Sequence, residues 1–264
     1  MPNVRRAALP LLLPALFLTA LSGDPLSAIN YLGDRGGTCF TLTAGGTHII
    51  TMTNGTTVGS TLLVIGMVSA GAAATGTPVQ DSRANSWVLG HTYTATNGER
   101  LFLYESKIAP GKNHFAGDTV TLSFSGGTGQ KSCAILSNWS GLVAPSSVDR
   151  MNGASGNNAA PTVATNGSTL QTNEVLIAAF GFAAATGGFT YAAPFNPLSG
   201  VCDSPHCMFP GYYLLPATGS YAAAPTTVNV TNWGGLLVTL RGDNTIFSDG
   251  FANGTTANWS LSVS

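Results

Sequence analysis

The hydrophobic pattern along this chain has the period of a sheet. Residues 61–68 read Thr-Leu-Leu-Val-Ile-Gly-Met-Val, and residues 174–180 read Glu-Val-Leu-Ile-Ala-Ala-Phe. Continuous apolar runs of this length predict central strands covered on both faces. Residues 118–124 instead alternate. Val120, Leu122 and Phe124 share one face, with Thr119, Thr121 and Ser123 on the other.

Further strands are expected at 38–42, 48–52, 85–89, 100–105, 133–139, 228–230 and 236–240. Turn signals such as Ala44-Gly45-Gly46, Asn54-Gly55 and Asn97-Gly98 punctuate them. No segment keeps a 3.6-residue period over three turns. The pattern predicts an all-β fold, a two-sheet β-sandwich of jelly-roll or lectin-like type, in one domain over 37–243. Residues 23–36 read as a loose lead, 70–77 as a small-residue loop, 144–170 as a long irregular stretch and 244–264 as a tail.

The start of the chain differs. Arg5 and Arg6 precede a mainly apolar run from Ala7 to Leu21, followed by small residues. This reads as a secretory signal peptide over 1–22. The run is shorter than a bilayer span needs and contains Pro10 and Pro14. No later stretch is long and apolar enough for a membrane helix, so a secreted or cell-surface location is expected.

Composition narrows the function. Charged residues make up 8% of the 264, against about 25% in an ordinary domain. Without residues 1–22, eight basic residues face eleven acidic ones, a net charge of −3. So few cations cannot track a phosphate backbone, and nucleic acid is excluded as the expected partner. Four cysteines in an exported chain predict disulfides. Cys202 and Cys207 bracket a short loop, which leaves Cys39 and Cys133 for a long-range link. A metal site from Cys202, His206 and Cys207 has no standard zinc spacing.

From residue 60 onward, Asp81-x-x-x-Asn85-x-Trp87, Leu101 to Tyr104, Asp118 to Leu122, Trp139 to Leu142 and Glu174 to Ile177 follow one another. This order resembles the sandwich modules of secreted and phage-associated bacterial proteins. That resemblance implies the sandwich architecture and a binding, cementing or accessory role. Residues 246–259, with Asp249-Gly250-Phe251 and Trp259, resemble a short C-terminal signature of proteobacterial exported proteins.

For chemistry, Glu99, Glu105 and Glu174 are the only glutamates, and no carboxylate pair shares a strand face. A pair that would suit glycoside hydrolysis has to assemble from separate strands, such as Glu105 with Glu174. His48, His91, His114 and His206 are dispersed and read as surface or strand-end residues; no catalytic residue is assigned. Asp81 with Asn85, Asp243 with Asn244, and Asp249 offer oxygen ligands for a structural calcium. No other cofactor is expected.

Trp87 beside Asn85, Trp233 beside Asn232, and Tyr213 combine flat rings with amides, the chemistry that stacks on neutral sugars. The expected function is therefore a secreted binding or surface protein whose partner is a glycan or another surface protein. A polysaccharide hydrolase and a self-associating adhesive module are the alternatives.

Overall fold

A computed structural model describes residues 28–243, apart from 44–45, 127, 144–145 and 185. The signal peptide and the C-terminal signature lie outside the described residues. Among the described residues there is no helix, and every sheet pairing is antiparallel.

The strands are β1 (Asn30–Thr41), β2 (Thr47–Thr51), β3 (Thr61–Val68), β4 (Ala72–Asp81), β5 (Val88–Thr94), β6 (Arg100–Lys107), β7 (Thr119–Gly126) and β8 (Lys131–Ser140). There follow β9 (Val148–Asn158), β10 (Val163–Ala164), β11 (Glu174–Phe182), β12 (Phe189–Thr190), β13 (Asn196–Pro197) and β14 (Val201–Asp203). The last are β15 (His206–Leu215), β16 (Ala222–Ala223), β17 (Thr226–Thr227) and β18 (Thr231–Arg241).

The two all-apolar runs occupy the sheet centres, as their pattern requires. All eight residues of β3 are buried, and all nine of β11. One large sheet has the order β1-β8-β3-β6-β5; the other has β9-β18-β11-β15-β13, with β14 also on β15. The two orders are the same order. In each half the first strand is an edge beside the last, and the central strand lies between the last strand and the hairpin partner of the strands before it.

The closing layers repeat as well. In the first half, β7 pairs with both β2 and β4. In the second, β10 pairs β16 and β12 pairs β17, so the counterpart of β7 is split in two. The molecule is thus two sandwiches with one topology, stacked through their large sheets.

Strand alternation distributes the apolar residues among three cores. Leu63, Ile65 and Met67 of β3 meet Val175, Ile177 and Ala179 of β11 between the large sheets. Leu62, Val64 and Val68 face β2, β4 and β7. Leu176, Ala178 and Phe180 face the small ribbons of the second half. The segments just after β8 and β18 pair with each other in a reciprocal way. Val143 N donates to Arg241 O (3.0 Å) and Asp243 N to Gly141 O (2.7 Å), around the bridge between Leu142 and Gly242. The shared strand order, with the segments after the two closing strands paired to each other, relates the halves by an approximate two-fold axis.

The disulfides are Cys39–Cys133, tying β1 to β8, and Cys202–Cys207, tying β14 to β15. Both staple partners already opposite in the sheet register.

Several segments differ from the sequence reading. β1 starts at Asn30, inside the expected lead. The small-residue loop at 70–77 is mostly the start of β4: Ala72, Ala73 and Ala74 pair with β7, and an irregularity follows between Ala74 and Val79. The stretch expected to be irregular holds β9, an edge strand whose side chains are half-covered, so its polar composition is tolerated. Residues 228–230 form no strand; Val228 and Val230 are 74% and 70% exposed.

Candidate functional site

In the first half, the bulge in β4 turns the strand away from β5 and leaves a groove between the two layers. It comprises two adjoining cavities of about 440 and 520 Å³, which share Gly76, Pro78, Trp87 and Tyr104. Phe102, Tyr104, Leu122 and Phe124 form an apolar floor, and Phe102 lies 5.9 Å from Tyr104 and 6.0 Å from Phe124 between ring centroids. Thr75, Thr92, Arg100, Gln80 and Ser86 supply polar groups around it. Gly76 sits at the mouth, where an added Cβ would meet no atom within 4 Å.

Trp87 forms one wall, half-buried. Its ring is held by Asp81, whose side chain is fully buried. Trp87 Nε1 donates to Asp81 Oδ2 at 2.8 Å, while Arg83 N and Asn85 N donate to Oδ1 at 2.8 and 3.3 Å. His114 Nε2 lies 3.3 Å from the same Oδ1. Burial alone would raise the Asp81 carboxyl; the bonds from His114, Asn85, Trp87 and Arg83 outweigh it and hold the group below its ordinary value.

The turn wrapped around Asp81 contains Ala84 at a φ of 56°, a left-handed conformation that costs an L-residue on the order of 1 kcal/mol. Lys112 Nζ donates to Ala84 O (2.6 Å), and Asn85 Nδ2 to Lys112 O (3.0 Å). Ala109 N donates to Asn85 Oδ1 at 3.2 Å. The Asp-x-x-x-Asn-x-Trp element is therefore a clamp. Its acid and amide are spent on fixing the turn, and its indole is presented to the groove.

The candidate binding residues thus divide. Trp87 lines the groove. Asn85, buried, lines the second cavity of the groove, with both ends of its side chain engaged in fixing the turn. Trp233 is far from solvent, at 5% exposure, with Nε1 donating to Asn158 Oδ1 at 3.3 Å in the core of the second half. Tyr213 packs on that same core against Phe195 and Tyr221. Asn232 is exposed and lines a separate cleft between the halves. The structure adds Tyr104, Phe102, Pro78 and Gly76 to the groove. Only the position of the bulge places them there, and the sequence gives no signal for it beyond the small residues of 72–77.

The carboxylates do not assemble as a pair of Glu105 and Glu174. Glu105 has the strand parity of Leu101 and Leu103, facing the space between the large sheets, where Ser147 N and Oγ donate to it. Glu174 has the parity of Leu176, on the far face of its sheet. There it meets Asp149, both side chains being almost wholly buried. Burial, then the neighbouring Asp149, push the Glu174 carboxyl up to about 7. Neither lines any of the four cavities found among the described residues.

The histidines are less exposed than their dispersed positions suggest. His48 and His114 are 0% and 1% exposed, and burial lowers His48 to about 4. Each bonds a neighbouring hydroxyl: His48 Nδ1 with Ser132 Oγ (2.9 Å), His114 Nδ1 with Thr56 Oγ1 (3.2 Å). Among the described residues no group of three His, Cys, Asp or Glu side chains is placed to hold a metal. At Asp81, hydrogen-bond donors occupy the oxygens a cation would need.

No protein-family model, curated protein or solved structure matches the chain.

Proposed function

We propose that the protein is an exported glycan-binding sandwich that takes a short run of neutral sugar in the groove beside Trp87. The observation that carries this reading is the Trp87 ring, fixed edge-on by its bond to Asp81 and open on the groove side. An aromatic wall over an apolar floor, with hydroxyls, an amide and a guanidinium at the rim, suits the alternating apolar faces and hydroxyl edges of a pyranose. Pre-fixing the ring lowers the ordering cost of binding. Two disulfides support an address outside the reducing cytoplasm.

The test is a glycan array on the chain without residues 1–22, followed by titration calorimetry with the best hit. Trp87→Ala is expected to weaken that hit at least about tenfold, which corresponds to ~1.4 kcal/mol. Gly76→Phe, which fills the mouth, should do the same while leaving the fold intact. Absence of any glycan hit, or a hit that both variants retain, would refute the groove as a glycan site.

A further inference from the structure

The approximate two-fold axis has a second end. Opposite the reciprocal bonds of residues 141–143 and 241–243, the halves part around a cleft of about 270 Å³. Its lining comes from matching places in the two topologies. Ser69 and Ala70 follow β3, and Ala183 and Ala184 follow β11. Asn97 and Glu99 end the hairpin turn into β6, and His206 ends the turn into β15. Gln130 precedes β8, and Asn232 lies at the start of β18.

The two halves have diverged at these places into complementary chemistry. Glu99 and His206 come from matching turns, and Gln130 and Asn232 from the starts of matching strands. Glu99 is 2% exposed. Its Oε2 accepts from Asn97 Nδ2 at 3.0 Å, and its Oε1 has no partner among the described residues. His206 Nδ1 is likewise buried without a partner. A buried polar atom left unpaired costs about 1–3 kcal/mol, and neither of these two atoms is needed to hold its turn.

The rim adds the amides of Gln130 and Asn232, whereas Lys131 and Asp203 neutralise each other in an ion pair beside His206. Burial, then Lys131, lower the His206 imidazole, so it is uncharged at neutral pH. One carboxyl disfavours an anion. One carboxyl with one imidazole falls short of the ligand set a divalent cation requires. The remaining match is a small neutral molecule with several hydroxyls.

We infer that this inter-half cleft is a second binding site, distinct from the Trp87 groove, for a small neutral polyol such as a single sugar ring or a cyclitol. Both halves contribute to it, with Glu99 and His206 at its floor and Asn232 and Gln130 at its rim.

The test uses ¹H–¹⁵N amide spectra of the chain without residues 1–22. Myo-inositol, methyl α-glucopyranoside and glycerol are the polyol probes, with inorganic phosphate and Zn²⁺ as counter-probes. At least one polyol is expected to shift the amides of Ala70, Gly98, Ala184 and Asn232 in a saturable way. Asn232→Ala, at an exposed position, and the near-isosteric Glu99→Gln should each weaken that titration at least about fivefold. Trp87→Ala should leave it unchanged, which separates this site from the groove. The inference is overturned if no polyol shifts these amides, if the shifts survive both cleft variants, if Trp87→Ala removes them, or if only phosphate or Zn²⁺ produces them.

Discussion

The two halves of the molecule share one topology and solve the same packing problem differently. In the first, β2, β7 and β4 form a continuous three-stranded layer over a largely aliphatic core, with Ile50, Met52, Val120 and Leu122 facing β3. In the second, the layer is broken into two two-residue ribbons, and rings take its place. Phe180 and Phe182 pack beneath Phe189, Tyr191 and Phe209, with Phe189 stacked on Phe209 at 4.5 Å.

The contrast is sharpest at the equivalent of the groove. The place between β12, β13 and β15 matches the place between β4, β5 and β6. It keeps only a cavity of about 200 Å³ lined by Phe189, Tyr191, Phe209 and Pro210. Tyr191 Oη is tied down within it, donating to Phe209 O at 2.9 Å and lying 3.1 Å from Ala178 O. One half has filled with its own aromatics the space the other leaves open. Both halves thus keep a packed core, but only the first keeps an open groove at this place.

The largest expected effect on this comparison comes from the disulfides. Cys39–Cys133 closes 94 residues in the first half and Cys202–Cys207 only 5 in the second. Chain-entropy arithmetic gives roughly 4–5 kcal/mol for the former and about 2 kcal/mol for the latter. Guanidinium unfolding of Cys39→Ser/Cys133→Ser and Cys202→Ser/Cys207→Ser double variants should reproduce that order. Equal losses would mean the first link is already held by its sheet register.

Next is the aromatic core of the second half. Phe180 is fully buried and lies about 6 Å from Phe189, Tyr191 and Trp233 between ring centroids. Phe180→Ala is expected to cost about 3–5 kcal/mol and to speed proteolysis at the ribbons before the first half is cut. Cleavage in the first half at the same rate would mean that the halves melt as one unit.

Asp81 and Glu174, one in each half, should respond to pH with opposite sign. Asp81 in the first half has a lowered folded pKa, so its contribution is present above its unfolded value near 3.8 and is lost as the pH falls below it. Glu174 in the second half has a raised one. Its protonated form suits the fold, and stability falls as the pH rises from about 4.5 to about 7. Burial raises Glu99 and Glu105 in the same direction, so Glu174→Gln should reduce the fall in melting temperature between pH 4.5 and 7 and leave the acid limb untouched. An undiminished slope after the substitution would remove Glu174 as a source.

The sequence made the fold class legible because its apolar runs are long and unambiguous. Residues 61–68 and 174–180 are the two central strands, and the clean alternation of 118–124 is β7. The internal repeat was hidden, since equivalent strands share parity and order but few residues; Met67 has no likeness to Ala179, nor Glu99 to His206. β9 and the start of β4 escaped because half-covered edge strands tolerate Asn, Gly and Ala, which read as loop. At the site, Trp87 was visible by type and neighbourhood. Trp233 carried the same signal, yet it fills a core, because exposure depends on whether the space beside the ring is left open, as at the β4 bulge, or filled by other side chains, as by Phe180. That distinction is tertiary.

The smallest structural change should give the clearest functional one. Trp87 and Trp233 are the two candidate sugar-stacking rings, one at the open groove and one inside the filled half. Titration of a glycan hit into Trp87→Ala, beside a wild-type control matched for melting temperature, measures the difference directly. The account predicts that binding falls at least about tenfold while the melting temperature moves little, since the ring is only half-buried. Undiminished binding to Trp87→Ala would contradict it, and would place any sugar site elsewhere than the groove of the first half.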